Sequence, residues 1–156
     1  MDCSGARAAE RGGGRVRESR VIDITFGGWY ASANVETGQV SVFRLLDFNL
    51  DAVHVAMYEE KFDAVPSAAD VRALSPFVWH APIDSRTMLR DDELQLIGEA
   101  PLTVEDLEGY VVYLEDMGMS EEQRAEHVQH LIALSHKHGL RVRLRAGDQG
   151  LVVEEP

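Results

Sequence analysis

Between Val21 and Tyr58 the chain repeats one pattern four times, and that pattern leaves few folds open. The runs VIDITF, WYASANV, QVSVFRLLDF and DAVHVAMY alternate apolar and polar positions or string β-branched and aromatic residues together, as pleated, half-buried strands require. The links are short: ETGQ holds a glycine where a hairpin loop needs positive φ, and NLD around Leu50 is a second tight connection. Strands joined by so few residues run antiparallel, because a parallel crossover needs a dozen residues or more. The spacing predicts a meander.

Beyond Pro66 the signals change. Ser67, with Asp70 three residues on, has the spacing of a capping box and predicts a short helix that ends by Pro76. FVWHAPI returns to extended character, Pro82 excludes a central-strand position beyond it, RTMLRDD reads as a charged loop, and ELQLIG as a further strand. Val104, Leu107, Tyr110, Val111, Leu114 and Met117 then recur at helical spacing behind a Thr103–Asp106 cap. Gly118 stops that helix, Ser120 with Gln123 starts another, and Gly139 is read as its left-handed terminus. LRVRLRA and GLVVEE around GDQG close the chain as a β-hairpin. The fold class expected is α+β: a largely antiparallel β-sheet, an N-terminal meander plus a C-terminal β-hairpin, with an αα-hairpin packed on one face.

Residues 1–18 are rich in glycine and arginine with little to bury, so they are expected to form a disordered basic leader before a single α+β domain spanning 19–156. The lone cysteine, Cys3, excludes an intramolecular disulfide and a multi-cysteine zinc cage. No apolar run approaches the length of a membrane span, and the N-terminus lacks the apolar centre of a secretory signal, so no membrane association and a cytoplasmic location are the expectation.

Charge narrows the partners. A net charge of −12 disfavours nucleic acid, whose phosphates are held by Lys and Arg. From Asp91 to Glu126 twelve acidic residues face one basic residue, Arg124. Some lie in first helical turns and favour the helix dipole; the surplus creates a field able to steer a cationic protein. The leading expectation is therefore a non-catalytic protein-binding module, regulatory or inhibitory, that meets a basic protein partner through Glu105, Asp106, Glu108, Glu115, Asp116, Glu121 and Glu122. Arg141, Arg143 and Arg145 alternate opposite Val142 and Leu144, and read as a solvated strand face that could pair with the acidic helices.

Two clusters suggest chemistry. In WHAPID, His80 is the candidate base of a hydrolase-like site with Asp84 or Ser85 assisting. Four extended residues separate His80 and Asp84 by about 13 Å, so a turn over Ala81 to Ile83 is needed to join them. Ser75, Ser85 and Thr87 lack any nucleophile motif and read as turn and cap residues. In EHVQHLIALSHKH, Glu126 and His130 share a helix face and are the candidate metal ligands, two where a tight zinc site uses three or four. His127 and His138 share a different stripe with Leu131 and Leu134, and these histidines, with Lys137, complement the negative helix end. Trp29 and Trp79 read as core or rim residues. No phosphate-binding loop occurs, and no cofactor is expected.

Overall fold

The computed structural model describes residues 20–89, 94–137, 139–144 and 151–154. The leader at 1–18 and the GDQG turn lie outside the described residues. The fold is α+β, with two antiparallel sheets and a helix pair following the strands. Strands β2 (Gly28–Ala33), β3 (Val40–Phe48), β4 (Ala52–Phe62), β5 (Val78–Asp84) and β6 (Gln95–Glu99) form a five-stranded sheet in the order β5-β4-β3-β2-β6. β1 (Arg20–Ile24), β7 (Leu140–Leu144) and β8 (Leu151–Glu154) form a second sheet in the order β1-β7-β8.

The first strand therefore leaves the expected meander. β1 pairs with β7, Ile22 opposite Val142, instead of with β2. Its alternation licenses a strand but carries no information about which edge it joins. The β2–β3 link behaves as its residues require: Asn34 Oδ1 accepts the Glu36 and Thr37 amides, and Gly38 takes φ 72°. β5 keeps Pro82 because it is an edge strand, where one row of amides needs no partner. The segment read as the loop RTMLRDD instead opens with a short helix, α2 (Ser85–Leu89), which buries Met88 and Leu89.

The other helices begin where the caps predict. α1 (Ala68–Arg72) carries the Ser67–Asp70 capping box. Thr103 and Asp106 exchange side-chain and backbone bonds ahead of a 3₁₀ turn, Glu105–Leu107, that leads into α3 (Glu108–Asp116). The Ser120–Gln123 box opens α4 (Glu121–Ser135). α4 ends through His136 in right-handed geometry, so Gly139 is not the left-handed terminus expected. Its requirement is space: a Cβ there would collide with the Ile24 carbonyl of β1.

Cross-strand register settles which residues face the helices. Trp29 pairs with Arg44, and Arg44 with Ala56. On this face the Trp29 Nε1–H donates to Tyr58 Oη, and Val71 of α1 packs with both rings. α3 crosses the same face near β5, where Gly109 sits against Trp79 so closely that an added Cβ would lie 2.7 Å from that of Trp79. Ile24 of β1 and Val142 of β7 join the hydrophobic cluster that contains Leu45, Val55, Leu107 and Leu131, so one core links both sheets. No helix among the described residues is long and apolar enough to cross a membrane.

Candidate functional site

Two bulges build the site. On β3, Leu45 pairs with Val55 but Asp47 pairs with His54, so one extra residue is accommodated at Leu46. Val55 and His54 are consecutive and point to opposite faces, so Leu45 and Asp47 do too; regular alternation would have kept them together. On β5, Ala81 pairs with Val55 and Val78 with Met57, an extra residue in the Trp79–His80 step. The Leu46 bulge turns Asp47 to the side of His54 and His80, which α3 and α4 cover.

The helices complete the constellation. Tyr110 of α3 donates its hydroxyl to Asp47 Oδ2 at 2.5 Å, and His127 Nε2 of α4 lies 2.8 Å from the same oxygen. Oδ1 accepts the Phe48 amide at 2.7 Å. Beside this carboxylate, His54 Nδ1 and His80 Nε2 are 2.8 Å apart, one donating and the other accepting. Tyr110 and Tyr113 flank the imidazole pair, with Tyr110 4.6 Å from the His54 ring centroid and Tyr113 4.6 Å from that of His80.

Asp47, His54, Tyr110, Tyr113 and His127 line a cavity of about 500 Å³, with His80 behind His54. Its polar lining among the described residues is Asp47, Asn49, His54, Tyr110, Tyr113, His127 and His130, and Phe26, Phe48, Leu114, Leu134 and Leu140 supply most of the apolar wall. Met117, Met119, His127 and His130 also border an adjoining open groove of about 660 Å³, together with Gln123 and Glu126. A chamber of this size with a few convergent polar groups is the usual form of a small-molecule site.

Protonation is divided within the cluster. Burial drives the Asp47 pKa upward, but the hydrogen bonds from His127 and Tyr110 outweigh it and leave the carboxyl below its ordinary value. The bond to Asp47 raises the His127 imidazole against the opposing effect of burial. His54 is lowered by burial, and His80 is lowered to about 4 by burial and by the neighbouring His54. Tyr110 is raised by burial and by Asp47. Around neutral pH the site thus joins an ionised carboxylate and a proton-rich imidazole to a neutral imidazole pair, a separation of roles typical of acid–base chemistry.

The residues singled out in the sequence are distributed differently. His80 belongs to this cluster, but Asp84 is not joined to it. The Asp84 carboxylate accepts the amides of Arg86 and Thr87 at the start of α2. Ser85 is fully buried, its hydroxyl donating to the Asn49 carbonyl. The segment from Ala81 to Ile83 stays extended in β5, so the turn needed to bring His80 to Asp84 does not form. Glu126 and His130 line the outer groove, and among the described residues no three His, Cys, Asp or Glu side chains are placed to hold a metal ion. His136 lies past the end of α4, and His138 is outside the described residues.

Among the acidic helix residues, Asp106 is drawn inward. Its Oδ1 lies 3.0 Å from Arg44 Nη1 and its Oδ2 accepts from Thr103, so its charge is compensated internally. Glu105, Glu108, Glu115, Asp116, Glu121 and Glu122 are exposed and form no ion pair among the described residues. Arg141 and Arg143 do not pair with these helices among the described residues: Arg141 contacts Asp23 and Arg143 contacts Glu154, while Arg145 lies outside the described residues.

Sequence reasoning missed Asp47, His54, Tyr110, Tyr113 and His127 as a site. A partial signal was present: Asp47 is an acid within FRLLDF, a run otherwise suited to full burial apart from Arg44. His54 and Tyr110 fit ordinary strand and helix periodicity and gave no warning. No family model matches the chain, and no curated protein or solved structure is significantly similar to it.

Proposed function

We propose that the protein binds a small molecule in the cavity between the sheet and the helix pair and performs acid–base chemistry on it, with His127 as the proton-transferring group and Asp47 holding it in position. The observation that carries this reading is the buried carboxylate shared by Tyr110 and His127 in the wall of the cavity. Burial, orientation and opposed pKa shifts in one cleft are the features expected of such a site. His54 and His80 act as neutral hydrogen-bonding groups beside the pair. The lining offers no serine, threonine, cysteine or lysine among the described residues, which favours proton transfer over covalent catalysis.

The test is to screen a chemically broad small-molecule panel by NMR, following the His54, Tyr110 and His127 resonances, and to incubate the ligands found in D2O. Deuterium entering a non-exchangeable position of a bound ligand, lost in His127→Gln, is the expected result. Ligands that perturb none of these resonances, or deuterium incorporation that survives His127→Gln, would overturn the reading.

A second reading is supported by the exposed carboxylates of α3 and α4. Six of the seven predicted acidic residues are solvent-facing without an ion-pair partner among the described residues, and Val112 and Met117 are exposed beside them at 57% and 68%. That surface suits a basic protein, in keeping with a regulatory or inhibitory module. Pull-down from lysate with the wild type and a variant carrying the six carboxylates as amides tests it. Partners retained equally by both would remove the surface from consideration.

A further inference from the structure

The hydrogen-bonding sense of the cavity is unequal. Its only carboxylate among the described residues, Asp47, is already engaged at both oxygens, Oδ1 by the Phe48 amide and Oδ2 by Tyr110 and His127. Asn49 Oδ1 accepts the Asp51 and Ala52 amides, which orients its NH2 group as the available end of that side chain. His127 uses Nε2 on Asp47, and no bond is made by its Nδ1 among the described residues. The Tyr113 hydroxyl likewise has no hydrogen-bond partner among the described residues and belongs to the same lining. The groups left for a ligand thus include the Asn49 NH2, the Tyr113 hydroxyl and an imidazole that Asp47 keeps proton-rich, beside His54 and His130, which can donate or accept. Glu126 lines the outer groove but is absent from the lining of the inner chamber.

Donors in the lining of a chamber that is otherwise walled by Phe and Leu side chains select a particular kind of molecule. Resting on the small-molecule reading above, we infer that the ligand is an apolar body bearing one anionic oxygen head, a carboxylate, that takes hydrogen bonds from His127, Asn49 and Tyr113. The body lies against Phe26, Phe48, Leu114, Leu134 and Leu140. A neutral hydroxyl head would satisfy fewer of the donors. An ammonium head would meet proton-rich His127 and donor groups, with no unengaged carboxylate among the described residues of the inner lining to receive it.

A series with one tail and different heads tests the inference on the full chain: octanoate, octan-1-ol and octylamine, titrated calorimetrically and followed by NMR at His54, Tyr110 and His127. Octanoate is expected to bind about tenfold or more tightly than octan-1-ol, the factor that one hydrogen bond to a charged group supplies, and more tightly than octylamine. His127→Gln is expected to abolish that preference. Tyr113→Phe, which removes a hydroxyl with no protein partner among the described residues and so spares the fold, is expected to weaken octanoate severalfold and leave octan-1-ol unchanged. If octan-1-ol or octylamine binds as tightly as octanoate, the head-group inference fails while the cavity reading stands. If no member of the series perturbs the cavity resonances, the inference is overturned, and if the broad panel is silent as well the cavity reading falls with it. A preference for octanoate that persists in both variants also overturns it.

Discussion

Replacing Asp47 by asparagine changes one charge at nearly constant shape, and its consequences can be worked through in advance. Tyr110 and His127 both donate to Asp47 Oδ2. A hydrogen bond to an ionised acceptor is worth roughly 1.5–3 kcal/mol and a neutral one about 1 kcal/mol. Asparagine can keep a neutral acceptor, so about 1 kcal/mol is lost at each of two bonds. Opposite unit charges about 4 Å apart attract by roughly 4 kcal/mol at an effective dielectric constant near 20. The His127 side chain is 29% exposed, and solvent screening brings that contribution down to about 1 kcal/mol. The expected loss is about 3 kcal/mol, or a fall in Tm of about 9 °C for a chain of this size.

The pH dependence sharpens the expectation. Asp47 is lowered in the folded state, so its contribution is present above its ordinary value of 3.8 and fades as pH falls through the folded value. His127 is raised, so its contribution is present below 6.5 and fades as pH rises through the folded value. The gap between wild type and Asp47→Asn should therefore be widest between pH 3.8 and 6.5, measured by urea unfolding at a series of pH values. In the same variant the His127 ring should titrate lower by NMR. An unchanged His127 titration, or a stability gap indifferent to pH, would refute the proposed charge pair.

The imidazole pair responds oppositely to His127: His54 and His80 are lowered in the fold, so unfolded imidazoles protonate first and stability drops as pH falls from 6.5 toward about 4, the His80 value. His80→Phe should flatten that limb in urea midpoints, and an unaltered slope would contradict it. Arg44 is buried, bonded to the Gly27 and Ala100 carbonyls, paired with Asp106, and stacked 4.3 Å over Trp29. Arg44→Met should cost about 3 kcal/mol, near the lower end for breaking a buried pair because Asp106 is partly solvated, and adding Asp106→Asn should recover about 1 kcal/mol. A double variant no more stable than the single would show that the Asp106 charge is not the source of the loss. Gly109→Ala gains about 1 kcal/mol of helix propensity but overpacks Trp79 at a cost of roughly 1–3 kcal/mol. Urea unfolding should report a net loss of about 1 kcal/mol, and Trp79→Ala in the same chain, which keeps the Cβ that is met, should not relieve it.

The strands, caps and helix pair were legible in the sequence because their causes are local. Period-two alternation made β2, β3 and β4, and the side-chain oxygens of Ser67, Thr103 and Ser120 met amides three residues away. The acidic exterior of the helices was equally apparent, since exposed carboxylates need no distant partner. The functional cluster obeys other constraints. Asp47 meets Tyr110 and His127 across sequence separations of 63 and 80 residues, and His80 meets His54 across 26. Which face Asp47 occupies was decided by the bulge at Leu46, where cross-strand pairing absorbed an extra residue and reversed the alternation. Local periodicity determined that this chain makes strands and paired helices; only the assembled sheet determined which acid and which imidazoles would share a cavity, because a one-residue shift in pairing turns a side chain to the other face.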